Sequence, residues 1–171
     1  MPEGPEVKIA SDYFNEFFAP SKKIKFEMIS DYYFQKYSDV FNIISDNLDK
    51  FKPTFTVGKN IFLELTNNKI FNFHLGMTGG WSSELIKHCH FRVFDGNNEL
   101  FFKDVRKFGN MKIITKTQFN NKFNATYDLL NTSYNIKKHL NYLEEKVNIR
   151  KSICSTIMDQ KFFPGVGNYI K

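Results

Sequence analysis

Pro2, Glu3 and Glu6 stand at the start of the chain, in the segment Met1-Pro2-Glu3-Gly4-Pro5-Glu6. Removal of Met1 would make Pro2 a terminal secondary amine. An α-amino group has a reference pKa of roughly 7.7–8, so a useful fraction is neutral and nucleophilic near neutral pH. Such an amine can attack an aldehyde-level carbon and form an iminium, and the two adjacent carboxylates could move protons. The same residues also suit a helix start. Pro5 fits a first helical turn, and Glu3 and Glu6 favour the positive end of the helix dipole. Taken alone, the segment accommodates both readings.

Other residues able to do chemistry are few. Cys89 and Cys154 are the only cysteines among 171 residues, too few for a disulfide framework or a four-cysteine zinc site, and they suit a reducing interior. His88 and His90 flank Cys89, but three candidate ligands fall short of a structural metal set, and no metal is expected. Cys154 falls on the apolar stripe of a helix and is expected in the core. The formal net charge is +6, which in an intracellular chain points to a polyanionic partner. Hydrophobic residues make up 42% and aromatics 17%, with 20 Phe, so the chain can bury a real core. No apolar run reaches membrane-spanning length, and no secretory signal opens the chain.

The elements that must carry these residues follow from the patterning. Val7, Ala10, Phe14, Phe17 and Phe18 have helical spacing, ended by Ala19-Pro20. Residues 22–30 alternate as a strand. Ser38 or Asp39 is expected to cap a short helix carrying Val40, Phe41, Ile44 and Leu48. Strands follow at 54–57, 60–66 and 70–75, with a turn at Asn67-Asn68. Residues 76–80 read as a turn. A hairpin joins 90–94 to 99–103 around Asp95-Gly96-Asn97-Asn98, and 111–114 is a last strand. Helices are expected at 117–123, 136–147 and 150–162, then a sharp turn at 164–168. The fold class is therefore α+β: an antiparallel β-sandwich with flanking helices, followed by a helical part. The expected division is 1–123, a linker at 124–134, and 135–171.

Six segments occur in a telling order: Pro2-Glu3-Gly4-Pro5-Glu6; Gly58-Lys59 before a strand; His74-Leu75-Gly76-Met77-Thr78-Gly79; Lys87-His88-Cys89-His90; Asp104-Val105-Arg106-Lys107-Phe108-Gly109; and Pro164-Gly165-Val166-Gly167-Asn168-Tyr169-Ile170. In this order they resemble the formamidopyrimidine-DNA glycosylase/endonuclease VIII family of base-excision repair enzymes. Gly4 and the Gly-Val-Gly-Asn-Tyr turn look more like the endonuclease VIII side.

The resemblance implies a bifunctional glycosylase and abasic-site lyase that removes oxidised bases, with pyrimidines expected, from damaged DNA. It implies Pro2 as the nucleophile at C1′ and Glu3 as the proton donor and acceptor. Glu6 would be a supporting acid or a helix stabiliser, and Lys59 would lie near sugar and phosphate. Met77, Arg106 and Phe108 would fill the gap left by a flipped nucleotide. Asn168 would start the second helix of a helix–two-turn–helix motif and hold a phosphate, with Lys161 and Lys171 adding attraction. No cofactor is implied within the chain; the family's second helix and its zinc or zincless finger would lie beyond Lys171. The helical domain is therefore expected to be incomplete, and the alternative function is a catalytically impaired DNA-binding module. The implied setting is intracellular, with the DNA, as a monomer away from membranes.

Overall fold

The computed structural model describes residues 1–148 and 150–171. The first helix, α1 (Gly4–Phe18), packs Val7, Phe14 and Phe18 inward, as their spacing requires. Next come β1 (Lys25–Met28), α2 (Asp31–Asn47), β2 (Phe55–Val57), β3 (Asn60–Glu64) and β4 (Lys69–His74). They are followed by β5 (Gly79–Ser82), β6 (Cys89–Phe94), β7 (Glu99–Asp104), β8 (Asn110–Thr115) and α3 (Lys116–Lys122). A single 3-10 turn at Ala125–Tyr127 leads to α4 (Ile136–Lys146) and the short α5 (Ile153–Ile157).

The strands form two four-stranded antiparallel sheets, ordered β1-β6-β7-β5 and β2-β3-β4-β8. Apolar side chains from both meet between them, with Phe71, Phe73, Phe91 and Phe102 in one cluster closed by α1 and α2. A smaller cluster of Val57, Phe62 and Ile70 lies on the outer face of the second sheet, where Phe119 and Phe123 cover it. The expected α+β sandwich is thus present. No helix among the described residues is long and apolar enough to cross a membrane.

Four local expectations are corrected. The helix α2 starts at Asp31, not at Ser38 or Asp39, because Ser30 caps it by accepting from Tyr33 N and Tyr33 and Tyr37 extend its buried face. Gly79 and Gly80 belong to a strand, since they pair with Asp104 and Lys103. The helix expected over 150–162 shrinks to Ile153–Ile157, with bends and turns beyond it. Cys154 is exposed rather than core, and its neighbour Ile153 is 77% exposed, so the apolar stripe there faces outward.

The linker stretch is seated, not slack. Asp128 is buried, and its carboxylate accepts from Gly58 N at 2.7 Å and Leu130 N at 3.0 Å. Asn131 donates to Thr56 O at 3.2 Å. These bonds fasten the start of the helical part to the β2–β3 turn.

Two buried tyrosines on α2 provide a check on this packing. Tyr37 donates to Gly109 O at 3.0 Å, whereas the buried Tyr33 hydroxyl has no hydrogen-bond partner among the described residues. Burial, then the nearby Asp104 carboxylate, hold the Tyr33 phenol far above its ordinary pKa. Urea unfolding should show Tyr37→Phe destabilised by about 1–3 kcal/mol, while Tyr33→Phe is neutral or stabilising.

Candidate active site

The site forms where the two ends of the described chain meet. Gly4 N donates to Gly165 O at 2.8 Å, which lays the 164–170 turn against the start of α1. Glu3 is only 2% exposed. Its Oε1 accepts from Tyr169 N at 2.8 Å, and its Oε2 accepts from Gly167 N at 2.9 Å and Ile170 N at 3.3 Å. Successive backbone N–H groups in a turn make an anion site, and here the anion is the protein's own carboxylate.

Burial alone would raise the Glu3 pKa. The N–H groups of Tyr169, Gly167 and Ile170 and the Lys59 ammonium act the other way and prevail, so it lies below its ordinary value. Gly167 is required by this close approach: a Cβ there would sit 2.3 Å from Glu3 Cδ and 2.7 Å from Lys59 Nζ. Lys59, at 9% exposure, therefore points its ammonium at the same spot. Its backbone position is set by Gly58, whose φ of +61° makes the β2–β3 turn.

Pro2 is half-buried at the edge of this cluster. Glu6 is exposed, and its Oε2 accepts from Glu3 N at 2.9 Å, the helix-capping geometry. That bond ties the Glu6 side chain to the Glu3 backbone. Asn168 and Lys171 are exposed on the last turn. Of the N–H groups around Asn168, those of Gly167, Tyr169 and Ile170 are taken by Glu3, and residues 168–170 form a turn.

A cavity of about 600 Å³ opens next to Lys59, with His74, Lys122, Lys161 and Pro164 among its walls. Its walls carry Lys59, Lys122 and Lys161 against one carboxylate, Asp159, so it is cationic. Burial, then the Lys59 charge, hold the His74 pKa below its ordinary value, so the ring is neutral near pH 7. Its Nδ1 accepts from Gly76 N at 3.0 Å, which leaves the proton on Nε2. Burial, then Lys122, hold Lys112 below the usual lysine value. His74 was quoted in the sequence within a motif but given no role there. The signal that singles it out is its place at the end of β4, one strand across from Lys59.

Met77, Arg106 and Phe108 project on the far side of Asp104. Met77 is 39% and Phe108 53% exposed, and the Arg106 guanidinium lies 4.9 Å from the Phe108 ring centroid. None of the three is used by the core. His90, by contrast, is buried, with Nδ1 at 2.8 Å from Ser30 Oγ and Nε2 at 2.9 Å from Asp104 O. His88 precedes the strand with φ of +72°.

Comparison with known proteins matches this geometry to a family. Residues 1–111 match the model for the formamidopyrimidine-DNA glycosylase N-terminal domain. A formamidopyrimidine-DNA glycosylase of Prochlorococcus marinus is 37% identical over 110 residues, covering 60% of this chain and 38% of that protein. One from the Wolbachia of Brugia malayi is 30% identical over 181 residues, covering 98% and 63%. The chain thus spans less than two thirds of the length of either. Among solved structures, MutM in complex with carbocyclic 8-oxo-G containing DNA superposes with a TM-score of 0.72 at 21% identity, over 98% of this chain and 64% of that one. A viral DNA glycosylase superposes with a TM-score of 0.71 at 20% identity, over 97% and 66%. The terminal Pro2-Glu3 pair, the sandwich that positions Lys59 and the match over residues 1–111 place this chain in the formamidopyrimidine-DNA glycosylase family.

Proposed function

We propose that this chain is a DNA glycosylase with abasic-site lyase activity, acting on oxidised bases through Pro2 once Met1 is removed. The observation that carries the reading is the Glu3 seat. A carboxylate within one residue of the N-terminus is held by three N–H donors at the edge of a cationic groove. Glu3 is itself the N-cap of α1, in a capping box with Glu6, and its bonds to Gly167, Tyr169 and Ile170 go beyond what a helix cap requires.

In the proposed reaction a damaged nucleotide is extruded, since its sugar carbon is out of reach inside the stack. The neutral Pro2 nitrogen attacks C1′; the C–N bond forms as the bond to the base breaks, and the base leaves taking a proton from water. Glu3, ionised at first, takes the proton released by the Pro2 nitrogen and passes it to the ring oxygen O4′, whose bond to C1′ breaks to give the iminium. The iminium acidifies the C2′ proton; its loss expels the 3′ phosphate and cuts the strand. Lys59, Lys161 and neutral His74 would hold the phosphates, and Lys171 and Asn168 would add contacts on the last turn. Met77, Arg106 and Phe108 would fill the gap and read the orphaned base. Oxidised pyrimidines are the proposed substrate class.

Borohydride reduction in the presence of DNA carrying an abasic site should trap a covalent adduct with Met1-processed protein, and acetylation of the Pro2 nitrogen should abolish it. Folded, processed protein that gives no adduct yet binds the DNA would instead support the non-catalytic binding module. The rate of trapping should rise with pH through roughly 7.7–8 as the Pro2 amine loses its proton. Gly167→Ala, which drives a methyl into the Glu3 carboxylate, should cut trapping by about a hundredfold or more, since misplacement of about 1 Å has that effect.

A further inference from the structure

The three exposed residues opposite the gap come from two separate loops, and one buried polar knot joins those loops. Asp104 is fully buried. Its Oδ1 accepts from the Thr78 hydroxyl at 2.6 Å and its Oδ2 from Gly109 N at 2.7 Å. The Thr78 oxygen in turn accepts from Arg106 N at 3.0 Å. Thr78 therefore uses both of its hydrogen-bonding roles to link the Met77 loop to the Arg106–Phe108 loop. Gly76 brings the loops into contact: with φ of +70°, its Cβ would lie 2.4 Å from the Phe108 carbonyl carbon.

The knot rests on a rigid floor. The Asp104 carbonyl can only accept, so His90 Nε2–H donates to it and His90 Nδ1 accepts from the Ser30 hydroxyl. Tyr33 stacks on His90 at 4.3 Å between centroids, with 6° between the rings. Both ring nitrogens of the buried His90 are committed to these bonds, so the series holds geometry.

We propose that Thr78 and Asp104 are positioning residues that lock Met77, Arg106 and Phe108 into one preformed wedge, and that this lock gives the protein its preference for duplex over single-stranded DNA. The inference rests on the nucleic-acid reading above, and deepens it. A wedge that enters a base stack must be ordered before it enters, or the ordering cost is met at insertion. A single strand offers no stack to enter, so binding there gains nothing from the lock.

The test uses a duplex with a tetrahydrofuran abasic-site analogue and 2-aminopurine opposite it, and the analogue-bearing strand alone. It needs no chemistry at Pro2. Wild-type protein should raise 2-aminopurine fluorescence and bind the duplex more tightly than the single strand. Thr78→Val, which keeps the shape but removes both hydrogen bonds, should weaken duplex binding by about tenfold to a hundredfold and lower the fluorescence rise. It should leave single-strand binding within about twofold, and Thr78→Ser should restore both signals. Asp104→Asn should act in the same direction. Equal loss on both DNAs, an unchanged duplex signal in Thr78→Val, or no fluorescence rise with wild type would each overturn the proposal. Failure of borohydride trapping with insertion intact would overturn only the catalytic reading.

Discussion

A single carboxylate ties together the two ends of the described chain. Glu3 accepts from Gly167, Tyr169 and Ile170, partners 164 to 167 residues away in sequence. Because Glu3 follows Pro2 directly, whatever fixes Glu3 also fixes the terminal nitrogen to within one residue. The last turn thus sets the position of the chain's first residues. The interaction is strong for its size, since N–H bonds to an ionised carboxylate exceed neutral ones, and it is fragile, since only glycine at 167 leaves room for it.

Around that seat the sandwich works as a frame with two working edges. One edge carries Lys59 and His74 at the mouth of the cationic cavity. The other carries the Met77 and Arg106–Phe108 loops above the buried Asp104. Aromatic packing between the sheets, such as Phe73 on Phe91 at 5.9 Å and Phe73 on Phe102 at 4.7 Å, makes the frame stiff. The charged groups then need little rearrangement to meet a polyanion, which is the economy expected of preorganised sites.

Much of this was legible in the sequence. Period-two and period-3.6 patterning located most strands and helices, and the ordered motifs located Pro2, Glu3 and Lys59. What stayed hidden shares one physical cause: it depends on contacts distant in sequence. The start of α2 was misplaced because Tyr32 to Tyr37 look polar and irregular until Tyr33 meets His90. Cys154 looked like core because an apolar stripe does not say which side is covered. Nothing local in the sequence reveals that Glu3 takes the N–H groups of Gly167, Tyr169 and Ile170 around Asn168. Thr78 and Asp104 were quoted as motif letters, and only the fold brings their side chains to 2.6 Å.

The central claim is that an ionised Glu3 holds the last turn over the N-terminus. Its folded pKa lies below the unfolded value of 4.5, so its stabilising contribution is complete above that value and is lost as pH falls through the folded one. An NMR titration of the Glu3 side-chain carbon together with the Gly167, Tyr169 and Ile170 amide protons tests this directly. All four signals should move together, with one midpoint below 4.5, and the three amide responses should vanish in Glu3→Gln. A midpoint at or above the unfolded value, or amides that ignore the titration, would contradict the account.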